Sequence, residues 1–537
     1  MNIKSNKFVC ISIIIISIII FSYFSAKGLG LNSFWDDEAR TAIESITLLN
    51  TGKISGWNGR NFIGIRDGAL LRDDFTLNYP PVQFYITAAA FDFFGINEFN
   101  GRIFFVVFGI LSYIYLLKLT IKISGLKTAS IIPTAAISIL TISYYLYIRQ
   151  CRYYSPAIFF TIAAYYHFNN YFSRCSNKDL WSAFIFSELL FFTHYLNFVC
   201  LIAAFVFIFP FYNNSICLLK KNIKKILFII LIFSVPVFYH ALKYKIWLRP
   251  DIPSDTFIFT KVSILFIMTI RDVNNLNFFS IPVFLVGAYF ILLRRNFINK
   301  FIRLFVFVLI YIILNSILSP QPVIAAEYSD IRYLSPLIPF FILLNALIFI
   351  ELINISNNKT IIYFFIFMIF FNNRSLLVAG KNNGDAFFSD YLYEIFNDYE
   401  TGYEAAVKYL QQIPGSNIEL MVKPELHCYP LMFKLNDKIL FSGQVEEMPR
   451  LDISKIPNFR KSVFIKDSYP DKILLFGREN ICDTIQHNNI EYFLETIIPV
   501  AFGDDVRPEL FWHSFRKTVN IDIQKNGIYV YSTRKPD

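Results

Sequence analysis

Three consecutive carboxylates, Asp36, Asp37 and Glu38, follow the first apolar stretch of the chain. Like charges in a row repel one another and resist desolvation, so one of them is expected to accept a proton easily. A carboxylate of that kind suits general base catalysis. The same residues could instead stabilise the first turn of a helix, because acidic side chains are favourable at a helix N-terminus. The amphipathic pattern of residues 39–49 predicts such a helix, and the two interpretations are compatible.

Two other segments combine cations with aromatic rings. The first contains Arg149, Arg152 and Tyr153, and the second contains Arg332 and Tyr333. Arginine binds phosphate through planar, bidentate hydrogen bonds, so both segments are candidates for binding a phosphorylated substrate. Basic and aromatic residues also collect at membrane interfaces as anchors, and that interpretation stays open.

Three single residues complete the candidates for substrate binding, namely Tyr79, His194 and Lys243. Tyr79 precedes Pro80-Pro81, a pair that predicts a rigid turn into a helix. His194 lies in a polar break between two apolar stretches, where a lone histidine is more often structural than catalytic. Lys243 combines a cation with the nearby Trp247.

No metal or cofactor motif stands out. The sequence contains no HExxH or comparable metal-ligand spacing, no P-loop and no GxGxxG, so no cofactor is predicted. A divalent metal on the three carboxylates remains open, but it would need oxygen ligands from elsewhere. Of the seven cysteines, Cys428 and Cys482 fall in the polar C-terminal part, where one disulfide could form.

Long apolar stretches must position these residues. The 537 residues are 55% hydrophobic and 17% charged, with 61 Phe, and the mean hydropathy is +0.46. A bilayer core needs about 20 apolar residues per helix, so we predict a polytopic α-helical membrane protein with about 11–13 transmembrane helices. The first stretch is expected to stay uncleaved, since no small-x-small cleavage site follows it. The predicted spans are 8–26, 102–122, 128–148, 154–172, 181–195, 196–212, 224–242, 278–294, 301–318, 333–353 and 359–379.

Cations cluster in the short loops between these spans, which accounts for the net charge of +10 without nucleic acid binding. Placing the basic loops in the cytoplasm requires 181–212 to be two short helices that meet near 194–197. It also requires 79–98 not to cross the membrane. With this orientation the N-terminus is cytoplasmic in the inner (plasma) membrane. The three carboxylates, both arginine–tyrosine segments and the C-terminal part then face the periplasm or the cell exterior.

The composition changes to charged and polar residues after residue 380. Alternating runs at 418–422 and 528–532 predict strands, and 403–411 predicts a helix. We therefore predict two domains, a transmembrane domain at 1–380 and an α/β or α+β extracytoplasmic domain at 381–537.

The order of these motifs resembles that of GT-C superfamily membrane glycosyltransferases of the protein-mannosyltransferase, aminoarabinose-transferase and rhizobial lipopolysaccharide-transferase type. The resemblance covers about residues 8–350. The additional Asp36 departs from the family pattern and leaves open which aspartate is the base, and Asp37 is favoured because Glu38 follows it. The matching segments are Asp37-Glu38 with Gly52, Tyr79-Pro80-Pro81, Gly95 to Arg102, Arg149 to Tyr153, and Arg332-Tyr333.

This resemblance implies inverting transfer of a hexosyl or pentosyl group from a polyprenyl-phosphate donor to a lipid, glycan or protein acceptor in the cell envelope. The carboxylates would activate the acceptor, and cations would stabilise the departing lipid phosphate. Arg149, Arg152, Arg332 and Lys243 are equal candidates for that second role. A transporter or flippase of lipid-linked saccharides is the main alternative, although no inverted repeat is seen. A polysaccharide ligase or polymerase is a closer rival, against which the early Asp-Glu motif argues.

Overall fold

A computed structural model gives the fold, and it describes residues 7–61, 63, 79–212, 215–244, 263–264, 266–267, 295–318, 331–355, 391–392, 395–398, 401–415, 418–435, 437–441, 469–476, 482–499 and 527–533. The helices of the first half are α1 Lys7–Ala26, α2 Asp36–Thr51, α3 Val82–Phe94, α4 Glu98–Ser124, α5 Thr128–Leu140, α6 Ile142–Ile148 and α7 Tyr154–Arg174. They are followed by α8 Asn177–Thr193, α9 Tyr195–Ile208, α10 Ser215–Tyr244, α11 Arg295–Leu318, α12 Ile338–Ile355, α13 Gly402–Gln411 and α14 Cys428–Lys434. The strands are β1 Glu419–Lys423, β2 Ile439–Phe441, β3 Lys472–Phe476, β4 Thr484–His487, β5 Ile490–Pro499 and β6 Gly527–Ser532.

The protein is a polytopic membrane protein. Within the described residues five helical segments are long and apolar enough to cross a bilayer, and a sixth span is formed if α5 and α6, bent by 65°, count as one. The predicted spans 278–294 and 359–379 lie outside the described residues. The five segments are Lys7–Ala26, Glu98–Ser124, Lys221–Tyr244, Phe301–Leu318 and Arg332–Glu351.

Two local features on which the predicted topology depends are present in the structure. Helices α8 and α9 meet at His194, whose extended backbone ends one helix and caps the next, so 181–212 is a helical hairpin. Helix α3 has 13 residues and begins directly after Pro81. It is too short to cross a bilayer core of about 30 Å at 1.5 Å per residue.

The chain packs as two compact units, which are Met1–Lys27 with Phe105–Leu392 and Gly28–Phe104 with Tyr393–Asp537. In the first unit α7 packs on α8, α9 on α11, and α5 on α1 and α12. Aromatic rings fill this core, and the ring of Tyr165 contacts those of Phe205, Phe307 and Phe340. The predicted domains 1–380 and 381–537 stay a prediction.

The second unit contains a six-stranded mixed sheet in the order β2-β1-β3-β6-β5-β4. Strand β1 runs parallel to β2 and β3, and the pairs β3–β6, β6–β5 and β5–β4 are antiparallel. This confirms the predicted C-terminal domain of helices and strands. Helix α13 begins with a capping box between Thr401 and Glu404. Helix α14 packs against α2, so the segment Gly28–Phe104 and the C-terminal part share this unit.

The possible disulfide between Cys428 and Cys482 is not formed. In the described part of the chain the thiol of Cys428 is buried, that of Cys482 is exposed, and neither is bonded to another cysteine.

Candidate active site

The three carboxylates form the first turn of α2. Trp35 precedes them with an extended backbone, and the helix ends at Gly52, whose φ of 71° is left-handed. The predicted amphipathic helix is therefore confirmed, and the negative charges lie at its positive end. The helix directs Asp37 and Glu38 differently, so these two carboxylates have different partners.

Glu38 is held by Arg102, the first site partner that the sequence did not assign. Arg102 Nε lies 2.8 Å from Glu38 Oε1, and Nη2 lies 2.6 Å from Oε2. The same guanidinium donates to the carbonyl oxygens of Leu29, Asn32 and Ser33. Glu38 is 1% exposed and Arg102 is 7% exposed. These contacts favour a positioning role for Glu38, because both of its oxygens are occupied by a buried cation.

Asp37 faces a different cation. Its Oδ1 lies 2.8 Å from Nη2 of Arg40, one turn along α2. The Arg40 guanidinium lies 5.2 Å from the centre of the Tyr79 ring. Burial opposes the charged form of Arg40, but nearby acidic groups outweigh it and raise the pKa of Arg40 well above its usual value. These groups are Tyr79, Asp37, Asp36 and Glu44. The structure thus brings Asp37 and Tyr79 together through Arg40, a permanently charged neighbour.

Helix α14 and the turn before it add groups from the C-terminal part. Burial, together with the charges of Glu425 and Asp36, raises the pKa of the Cys428 thiol. The Tyr429 hydroxyl donates to Glu425, and burial and that carboxylate raise the pKa of Tyr429. No local sequence signal could connect these residues with α2, because almost four hundred positions separate them.

A second cluster forms within the other unit. The Tyr153 ring lies 4.4 Å from that of His194, which lies 5.4 Å from that of Tyr333. The Arg152 guanidinium lies 5.4 Å from the Tyr153 ring, and that of Arg332 lies 5.6 Å from the Tyr333 ring. We call these five residues the arginine–tyrosine cluster. Segments predicted separately from three parts of the sequence therefore form one group.

The cluster is suited to an anion. Burial raises the pKa of Tyr153, the neighbouring Tyr154 and Tyr333 add to this, and the two guanidinium groups oppose it. Tyr153 therefore keeps its hydroxyl proton at neutral pH and can donate a hydrogen bond. Two guanidinium groups beside a phenol in a buried setting favour a phosphate ligand.

Arg149 has a different environment from its neighbours in sequence. Its Nη1 donates to the carbonyl oxygens of Phe24, Ser25 and Lys27, at 3.3, 3.0 and 2.6 Å. Its guanidinium also lies 5.6 Å from the ring of Tyr391. A cation at these carbonyls stabilises the C-terminal end of α1, so the contacts favour a structural role.

Lys243 lies near the end of α10 with an exposed side chain. Its ammonium group lies 5.9 Å from the Tyr239 ring and 5.3 Å from the Tyr244 ring. In the described part of the chain these contacts are with its own helix, and the structure does not bring Lys243 into the arginine–tyrosine cluster. Among the described residues no group of three His, Cys, Asp or Glu side chains could hold a metal ion.

The fold is similar to that of ArnT from Cupriavidus metallidurans. The apo structure of that protein aligns with a TM-score of 0.52 at 10% identity, over 87% of this chain and 92% of ArnT. The structure of ArnT bound to undecaprenyl phosphate aligns with a TM-score of 0.50 at 11% identity, over 98% and 99%. The protein has the GT-C fold. The predicted resemblance is therefore confirmed at the level of fold.

Sequence comparison agrees with this GT-C fold. Residues 78–240 match the family model described as dolichyl-phosphate-mannose-protein mannosyltransferase. That match includes Tyr79, Arg152 and His194, and it ends before Lys243 and Arg332. An uncharacterized protein of Aquifex aeolicus (strain VF5) is 27% identical over 184 residues, or 33% of this chain. The chain spans about a third, 32%, of that relative's length.

Proposed function

We propose that the protein is a membrane glycosyltransferase that moves a sugar, with inversion, from a polyprenyl-phosphate donor to an acceptor hydroxyl or amine. The observation that carries this proposal is the arginine–tyrosine cluster, in which Arg152 and Arg332 lie beside the protonated phenol of Tyr153. It lies in a unit of membrane-spanning helices, so a ligand with both a phosphate and a lipid chain suits it. ArnT, which has a similar fold, was solved with undecaprenyl phosphate bound.

The cluster supports departure of the lipid phosphate. As the glycosidic bond breaks, negative charge builds on the phosphate oxygens, and cations placed in advance stabilise it without reorganising. Arg152 is 5% exposed, and in such a poorly hydrated setting charge–charge attraction is stronger than in water. We assign this role to Arg152 and Arg332 and not to Arg149, whose guanidinium is held by backbone carbonyls.

Asp37 is our candidate for the base that removes the acceptor proton. Arg40 favours its ionised form, which is the form that accepts a proton. Glu38 is fully engaged by Arg102 and therefore positions α2 instead. Asp36 is the alternative base, because it is half-buried at the same helix end. Tyr79 supports the base by packing on Arg40.

We infer action at the outer face of the inner (plasma) membrane from the positions of the basic loops, which predict a cytoplasmic N-terminus. A soluble nucleotide-sugar donor does not fit that side. The acceptor is a lipid, a glycan or a protein, and the extracytoplasmic unit is a natural place for its recognition.

The test is sugar transfer or release by the purified protein in detergent, with radiolabelled undecaprenyl-phosphate sugars. We expect Asp37→Asn to lose roughly 10²- to 10⁴-fold in turnover, the usual contribution of a general base, while still binding the donor. Asp92→Asn is the matched control, since Asp92 is an exposed carboxylate on α3 of the same unit.

If only Asp36→Asn loses turnover, Asp36 is the base instead of Asp37. Wild-type turnover in both variants would show that the carboxylates only cap α2, and the mechanism would be wrong. A wild-type protein that turns over no sugar of the panel would contradict the lipid-phosphate donor.

A further inference from the structure

Two uncharged polar side chains next to the arginine–tyrosine cluster stand out by their burial. Asn197 is 0% exposed and Ser335 is 1% exposed. In the described part of the structure, neither the Oδ1 and Nδ2 atoms of Asn197 nor the Oγ atom of Ser335 has a hydrogen-bond partner. A buried polar group that has lost its water and gained no partner is unfavourable, so each such group calls for an explanation.

Asn197 lies close to two members of the cluster. It is in the first turn of α9, and its backbone N–H donates to Nδ1 of His194 at 3.3 Å. The Tyr311 hydroxyl donates to the Asn197 carbonyl oxygen, and Asn315 Nδ2 donates to the Tyr333 carbonyl oxygen, each at 3.4 Å. Tyr311 and Asn315 are one turn apart on α11, so Asn197 and Tyr333 lie along the same face of that helix.

Ser335 belongs to the short helix Ile331–Leu337, which also carries Arg332 and Tyr333. This segment is a 3₁₀-helix, in which residues three apart are eclipsed. Ser335 therefore lies on the same side as Arg332. Asn197 and Ser335 thus lie on the same two chain segments that carry His194, Arg332 and Tyr333 of the cluster.

We propose that Asn197 and Ser335 bind hydroxyl groups of the sugar that the lipid phosphate carries. The inference rests on the proposed function and extends it to a sugar subsite. An amide offers two donors and an acceptor, and a hydroxyl offers both, which matches an uncharged polyol. Arg152 and Arg332 bind the phosphate in this proposal, and a polyprenyl chain has no polar atom that could pair with Asn197 or Ser335.

The experiment compares binding of bare undecaprenyl phosphate with binding of the same lipid carrying mannose, glucose, galactose or arabinose. The wild type should bind at least one of the sugar-bearing lipids more tightly than bare undecaprenyl phosphate. Asn197→Leu keeps a similar side-chain volume but removes both polar atoms. It should weaken the affinity for that sugar-bearing lipid roughly 3- to 30-fold. Its affinity for bare undecaprenyl phosphate should not change.

The melting temperature separates this role from a structural one. Because Asn197→Leu replaces an unsatisfied polar group by an apolar one, it should not lower the melting temperature. Asn345→Leu is the matched control, because Asn345 is 7% exposed and already donates to the Phe341 carbonyl oxygen at 3.1 Å. That variant should bind both kinds of lipid as the wild type does. Ser335→Ala, a smaller change, should show the same selective loss and tests the subsite independently of Asn197→Leu.

Several results would overturn the inference while leaving the proposed function intact. One is a wild type that binds bare and sugar-bearing lipids equally. Another is an Asn197→Leu variant that still prefers the sugar-bearing lipid. The third is an Asn197→Leu variant that loses affinity equally for both lipids and has a lower melting temperature. Failure of the wild type to bind either lipid would instead contradict the proposed function, and the sugar subsite with it.

Discussion

Replacing Glu38 by alanine should loosen the chain around the start of α2. Glu38 accepts two charge-assisted hydrogen bonds from Arg102, and both side chains are almost fully buried. Removing one partner of a buried ion pair leaves the other charge uncompensated, at a cost of about 3–5 kcal/mol. The carbonyl oxygens of Leu29, Asn32 and Ser33 depend on the same guanidinium, so the effect should spread to them.

Hydrogen exchange of residues 28–52 in detergent measures this local opening. Since about 1.4 kcal/mol corresponds to a factor of ten, this cost predicts that the amides exchange roughly 10²- to 4 × 10³-fold faster in Glu38→Ala. Asp37→Asn should leave exchange much closer to wild type, because its partner Arg40 has other acidic neighbours. Adding Glu38→Ala to Arg102→Met should cost far less than in the wild type, since the buried charge has already gone.

Unchanged exchange in Glu38→Ala would refute the reasoning, because it would mean that the pair contributes nothing to the position of α2. Equal effects of Glu38→Ala in the wild-type and Arg102→Met backgrounds would refute it as well, since the two residues would then act independently.

Three further predictions concern single positions. Arg332→Met should lower the kcat of sugar transfer with little loss of melting temperature, because it removes a cation that stabilises the departing phosphate. Arg149→Met should instead lower the melting temperature, because the carbonyls at the end of α1 lose their donor. The reverse pattern in turnover assays and thermal melts would exchange the two roles. Gly28→Ala should destabilise the protein more than Gly52→Ala does. Both glycines have left-handed backbones, but a Cβ at Gly28 would collide with the Ile395 carbonyl, whereas a Cβ at Gly52 would meet open space. Equal melting temperatures of the two variants would contradict this. Iodoacetamide should label Cys482 much faster than Cys428, because the Cys428 thiol is buried and has a raised pKa. Mass spectrometry of the native protein measures the labelling. Equal labelling of the two cysteines would contradict the burial of Cys428.

Local patterns were sufficient for many of the elements, although not for strands β2 to β5. The apolar stretches, the break at His194, the helix that begins with the carboxylates and the strands near 418 and 528 all follow from periodicity and from turn residues close in sequence. These signals are local because a helix or strand is built from hydrogen bonds and side-chain spacing within short segments or adjacent strands. The sequence also placed the candidate residues at the ends of these elements.

Only the tertiary structure decided what those candidates contact. Nothing near Glu38 in sequence indicates that Arg102 holds it, and nothing distinguishes Arg149, bound to backbone carbonyls, from Arg152 in the arginine–tyrosine cluster. Asn197 and Ser335 carried no signal at all, because an asparagine or a serine in an apolar stretch is ordinary until its burial and partners are known. The physical reason is that burial and charge pairing depend on contacts between distant segments. Residue types and spacing alone therefore predict which side chains could do chemistry, and packing decides which of them are held in place for it.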